Sequence, residues 1–210
     1  MSRNDIHVAI LQNFLISEKG GERMIENISK LVLCSNPNTK ISVYAPIQGD
    51  AFPNQDDYDL IILTGGPFNL LEDEKPSWVN ETLNFIKSIT TGRIGVETIP
   101  LTSGGATFFN ARSLDIHKNH LLVVDDIGPH LSCLALNNEI LLSKDNQVLT
   151  FQGHPELDAI LSQLFVDVNN PSYFDRNELK RVLKPIDAPH DGEIIFVSIM
   201  KWASEDINFN

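Results

Sequence analysis

The chain has 210 residues, 42% of them hydrophobic and 21% charged, enough to bury one core, and it is read as a single domain over 1–210. Its net charge of −12 with scattered Lys and Arg argues against a nucleic-acid partner, because phosphate backbones are held by clustered basic side chains. No run approaches the ~18 apolar residues of a membrane span, and Gln12 and Asn13 end the first apolar run before a signal-peptide core can form, so a soluble, cytoplasmic protein with no membrane association is expected.

His7 to Leu11 (HVAIL) is a short aliphatic run and predicts a buried parallel strand. After Gly20-Gly21, apolar residues at Met24, Ile25, Ile28, Leu31 and Val32 recur every three or four positions, which predicts an amphipathic helix ending near Cys34. The glycine pair fits neither the dinucleotide nor the P-loop spacing and is not read as a phosphate site. Lys40 to Tyr44 (KISVY) and Asp59 to Leu63 (DLIIL) follow as strands, the second running into Thr64-Gly65-Gly66-Pro67. Pro76 opens the next helix, whose apolar face comprises Trp78, Val79, Leu83, Phe85, Ile86 and Ile89. This alternation is that of a doubly wound α/β domain, in which ligands sit beyond the carboxyl ends of the strands.

Beyond Arg93 the pattern becomes β. Short strands are expected at Gly95 to Leu101, Leu121 to Val124, Leu131 to Leu136, Ile140 to Leu142 and Val148 to Gln152, with polar turns at Asn137-Asn138 and Asp145-Asn146. From about Leu157 the tail contains helical stretches interrupted by Pro171, Pro185 and Pro189. Its last apolar segment, Ile194 to Trp202, fits helix or strand equally by periodicity.

Two motifs stand out. Asp59-Leu60-Ile61-Ile62-Leu63-Thr64-Gly65-Gly66-Pro67 resembles the strand and turn of class I glutamine amidotransferases, and Phe151-Gln152-Gly153-His154-Pro155-Glu156 resembles that family's histidine and glutamate signature. The pair, in this order and about ninety residues apart, is far more specific than either alone. The similarity covers nearly the whole chain and is strongest to stand-alone cytosolic members and to the amidotransferase part of GMP synthase. It implies a flavodoxin-like α/β fold with a mixed central sheet. It also implies a Cys-His-Glu triad acting on glutamine or a γ-glutamyl compound, with no cofactor and no metal. A weaker match surrounds His117 and His120. There Leu121-Leu122 replace the acidic residue that usually follows, so His120 is given no substrate role.

Such chemistry needs a thiolate to attack the amide, a histidine to relay the proton and a carboxylate to orient the histidine. The resemblance assigns the last two roles to His154 and Glu156. It assigns the backbone amides of Gly65 and Gly66 to an oxyanion site, which glycine suits because it lacks a Cβ. The family's nucleophile sits on a strand-to-helix elbow of the form Gly-x-Cys-x-Gly. Here Ile89-Thr90-Thr91-Gly92-Arg93-Ile94-Gly95 leads from helix directly into the β-section. Against the family's pattern, a central strand, its elbow and the following helix, roughly thirty residues, are expected to be missing near 90–95.

The chain's two cysteines, Cys34 and Cys133, stand in no elbow pattern. Both are expected to pack inertly in the core, as free cysteines commonly do. His7, His130 and His190 are read as incidental. Three functional readings follow: a catalytically silent relative retained to bind a ligand or partner, an active enzyme that has lost an internal block through splicing or intron assignment, and a non-enzymatic subunit whose gap is filled by another protein. Marginal folding is expected for the isolated chain as written, since removing a central strand exposes apolar surface and unpaired ladder groups.

Overall fold

A computed structural model describes residues 5–66, 68, 70, 72–90, 115, 124, 126–173, 183, 184 and 186–204. The strands predicted at Gly95 to Leu101 and Leu121 to Val124 lie outside the described residues, apart from Val124, as does the segment from Thr91 to Gly95.

The N-terminal half is a parallel sheet with the order β2-β1-β3, formed by β1 (His7–Leu11), β2 (Lys40–Tyr44) and β3 (Leu60–Leu63). β1 is central: Val8 pairs with Ile41 on one side and Leu60 on the other. Its residues Val8 to Leu11 are fully buried, as expected of a strand covered on both faces. β3 begins one residue later than predicted. Asp59 sits at the strand entry, where its carboxylate accepts a hydrogen bond from the His7 amide at 2.9 Å.

Helix α1 (Gly21–Ser35) buries Met24, Ile28 and Val32, the predicted stripe. Gly20 precedes it with φ 94, and a Cβ there would lie 2.8 Å from Leu164 Cδ2. The first glycine of the pair is thus explained by a left-handed turn under a packed helix. Helix α2 (Ser77–Ile89) starts just after Pro76, buries Val79 and Thr82, and leaves Trp78, Leu83, Phe85, Ile86 and Ile89 half-buried. The Phe85 ring stacks on Phe52 at 4.9 Å.

The C-terminal half contributes an antiparallel sheet, β4 (Leu131–Cys133), β5 (Ile140–Ser143) and β6 (Leu149–Phe151), in that order. β4 is shorter than predicted because the chain turns at once: Asn137 and Asn138 both adopt left-handed backbone, φ 58 and 57, and Glu139 N donates to Leu136 O at 3.3 Å. Two consecutive left-handed residues match the twist of a tight hairpin, and asparagine tolerates them well. The second predicted turn also uses a left-handed asparagine, Asn146 with φ 59.

Helix α3 (Ala159–Tyr173) continues through Pro171, where an interruption was expected. The ambiguous final segment is helix α4 (Gly192–Ser204), with Ile195, Phe196, Ile199 and Met200 buried at helical spacing. α4 packs against α1. One apolar cluster joins β1, α1, β3, β5, β6, α3 and α4 through residues such as Ile10, Ile28, Ile62, Phe151, Leu161 and Ile199.

The expected burial of the cysteines is overturned: Cys34 and Cys133 are both exposed. Cys34 lies at the solvent side of the end of α1, off the Met24-Ile28-Val32 stripe. Cys133 ends β4, which stands at the edge of its sheet among the described residues, and its thiol donates to the Ala135 carbonyl at 2.7 Å.

Candidate active site

The predicted residues fall in two turns, each at the end of a strand. The first follows β3. Thr64 extends the parallel ladder by donating its amide to Leu11 O at 3.0 Å. Its hydroxyl donates to the same carbonyl at 3.2 Å and accepts the Asn13 amide at 2.9 Å. The Asn13 carboxamide Nδ2 donates to Thr64 O at 2.8 Å. Gly65 and Gly66 come next. A Cβ on Gly66 would fall 2.3 Å from the Asn13 carbonyl oxygen, so this glycine is required by close backbone approach.

The second turn follows β6. Phe151, fully buried, anchors the strand end. The chain then bends, with Leu157 N donating to His154 O at 3.2 Å. Within this turn the His154 Nδ1 lies 2.9 Å from Glu156 Oε1, with side chains 14% and 2% exposed. A carboxylate beside Nδ1 selects the tautomer that carries its proton there, which leaves Nε2 with a lone pair able to accept a proton. This is the geometry of a base and its orienting group. Glu156 Oε2 is buried and has no hydrogen-bond partner among the described residues.

Two helices hold this turn. From α1, Asn27 Nδ2 donates to the Glu156 carbonyl at 3.1 Å. Arg23 grips Asp158 through Nε at 2.9 Å and a terminal nitrogen at 2.6 Å. Partial burial alone would raise the Asp158 carboxyl, but the Arg23 guanidinium, the Leu161 amide and Asn27 outweigh it and bring it from 3.8 down to about 2. From the other side, the α4 start lies against the turn: a Cβ on Gly192 would sit 2.1 Å from Pro155 O. His190 is part of this junction, its Nδ1 accepting the Gly192 amide at 3.1 Å. Asp191 accepts the Asp115 amide at 2.9 Å.

The structure therefore brings His154 and Glu156 together and sets Gly65 and Gly66 in a separate turn at the carboxyl end of the parallel sheet. Sequence reasoning passed over Asn13, Asn27, Arg23, Asp158 and Gly192. Only Asn13 had a legible signal, as the second of two polar residues that follow the apolar run ending at Leu11. Among the described residues no group of three or more His, Cys, Asp or Glu side chains could hold a metal ion, and no helix is long and apolar enough to cross a membrane.

Solved structures define the class of this fold. A glutamine amidotransferase from Thermotoga maritima superposes with a TM-score of 0.58 at 14% identity, over 96% of this chain and 99% of that one. Another, from Methylobacillus flagellatus, gives 0.57 at 13% identity, over 97% and 92%. No protein-family model matches the chain.

Among curated proteins, the glutamine amidotransferase-like protein chry6 of Gibberella zeae is 48% identical over 237 aligned positions, covering 98% of each chain. The glutamine amidotransferase-like protein chyE of Penicillium rubens is 24% identical over 243, covering 97% and 99%. The chain belongs to the glutamine amidotransferase-like proteins. In its alignment with chry6, 98% of 210 residues is about 206, so in total about 31 of the 237 aligned positions have no counterpart in this chain. The same subtraction for chyE, 243 less about 204, leaves about 39.

Proposed function

We propose that this chain is a catalytically silent member of its family, which keeps the histidine-glutamate dyad and the glycine turn but has no thiol to serve them. The observation that carries the reading is the run from Ile89 to Gly95, which has no Gly-x-Cys-x-Gly elbow between helix and β-section.

Neither existing cysteine is a substitute. Cys34 lies seven residues beyond Asn27 on α1, about 10 Å along the helix axis from the residue that touches the dyad's turn. Cys133 is on β4, with β5 between it and the strand that leads to His154; two strand spacings are about 9.5 Å. A nucleophile must approach within hydrogen-bond reach of its base.

Glutamine or a γ-glutamyl compound is the ligand class that the family suggests, held as a bound small molecule and not turned over. The chain is expected to act in the cytoplasm as a single domain. Purified protein incubated with L-glutamine or γ-glutamyl-p-nitroanilide should release no glutamate or p-nitroaniline above background. Hydrolysis that His154→Ala abolishes would overturn the reading.

The number of unmatched positions in the alignments favours a second reading. About 31 unmatched positions are close to the roughly thirty residues that a strand, an elbow and a helix occupy. If these positions form one block between the two motifs, an excluded exon or a coding stretch taken for an intron accounts for it. Sequencing the native transcript tests this: extra in-frame codons near the position of Ile89 to Gly95, encoding Gly-x-Cys-x-Gly, would make the mature protein an active amidotransferase. Their absence leaves the silent form.

A further inference from the structure

We propose that Asn13 is the positioning residue of the glycine turn, setting where the Gly65 and Gly66 amides point. The proposal rests on the reading of those amides as the site for a substrate carbonyl. Asn13 is 1% exposed, two residues beyond the end of β1's apolar run, and it engages the turn in three ways. Its amide donates to Thr64 Oγ1 at 2.9 Å, its Nδ2 donates to Thr64 O at 2.8 Å, and its own carbonyl oxygen fills the space that a Gly66 side chain would need.

The chemistry of these contacts selects asparagine. The atom facing Thr64 O must be a donor, because an oxygen there would set lone pairs against lone pairs. Aspartate, of nearly the same shape, lacks that donor. Serine or alanine would not span the distance. The peptide after Thr64 carries the Gly65 amide, so a hydrogen bond to the Thr64 carbonyl fixes the plane of that peptide and with it the direction of the Gly65 N–H. Contact between the Asn13 carbonyl and Gly66 fixes the height of the next peptide. A carbonyl ligand is stabilised only by donors already aimed at it, so a residue that orients both peptides controls affinity without touching the ligand.

The test is an amide NMR titration of the full chain with L-glutamine, comparing the unsubstituted protein with Asn13→Asp and Lys30→Ala. In the unsubstituted chain, glutamine is expected to shift the Gly65 and Gly66 amide peaks. Asn13→Asp should displace both glycine peaks before any ligand is added and weaken glutamine binding by at least about ten-fold, while Lys30→Ala, at an exposed position of α1 outside this turn, stays within about two-fold. Peaks of β4 to β6 should be unmoved in each, which separates local reorientation from general loosening. If Asn13→Asp does not fold, Asn13→Ala, which removes the Nδ2 donor to Thr64 O without adding a charge, is read in the same way. A folded variant with unmoved glycine peaks, or with moved peaks and unchanged affinity, overturns the positioning role alone. Glutamine that leaves Gly65 and Gly66 unmoved in the unsubstituted chain overturns the carbonyl-site reading and the proposal with it.

Discussion

At the scale of single residues, the His154 to Glu156 turn depends on neighbours far away in sequence. Asp158 carries its charge cheaply because Arg23 is beside it. Its folded value of about 2 lies below the ordinary 3.8, so the ionised form is favoured by folding. The stability this contributes is present above pH ~4 and is lost as the pH falls through ~2. Both side chains are partly exposed, which screens the pair. Melting temperature measured from pH 6 to pH 2 should therefore fall more steeply between 4 and 2 in the unsubstituted chain than in Asp158→Asn, where that one titration is absent. Gly192 is the turn's steric constraint. Because a Cβ would lie 2.1 Å from Pro155 O, Gly192→Ala should cost about 1 to 3 kcal/mol in urea denaturation. Gly128→Ala, with open space around it, should stay within about 0.5 kcal/mol.

At the scale of elements, local pattern and local structure agree where one face of the element meets the core. The α1 stripe of Met24, Ile28 and Val32 and the continuous burial of β1 follow directly from their periodicities. Disagreement arises where pairing decides the limits. β4 stops at Cys133 because the chain reverses at Asn137-Asn138, and its last three predicted residues join the turn region. That reversal is itself testable. Asn137→Ala places a Cβ residue without asparagine's local hydrogen bonding in a left-handed conformation and should cost about 1 kcal/mol, while Asn137→Gly should be close to neutral. Equilibrium urea unfolding of both variants reads the difference. The last helix was ambiguous because a short apolar run fits either period. It is resolved by α1, against which the helical face of Ile195, Phe196, Ile199 and Met200 is buried.

At the scale of the molecule, one apolar cluster ties the parallel sheet to the antiparallel one through α1, α3 and α4, which predicts a single unfolding transition. If a central strand and its helix are missing, that transition should be poorly supported. α2, the helix that precedes the expected deletion, has five large apolar residues only half-buried, and unpaired buried groups cost about 1 to 3 kcal/mol each against a net stability of ~5 to 15. Circular dichroism should show a midpoint below the ~45 to 65 °C typical of mesophile domains. A sharp transition well above that range would mean that the neighbouring elements close the gap.

The sequence alone was enough to identify the family, through Gly65-Gly66 and His154-Pro155-Glu156, and to locate β1, α1, β2, β3 and α2 within a residue or two. It also establishes that no cysteine stands in an elbow pattern. These are properties of contiguous residues, where periodicity and motif spacing carry the information. Tertiary structure decided the rest: that Cys34 and Cys133 face solvent, that Asn13 secures the glycine turn, and that the dyad's turn is held between α1 and α4. Such contacts join residues far apart in the chain, 129 positions for Asn27 and Glu156 and 135 for Arg23 and Asp158. Nothing in either local sequence specifies its partner, because the pairing exists only once the core has brought the two segments together.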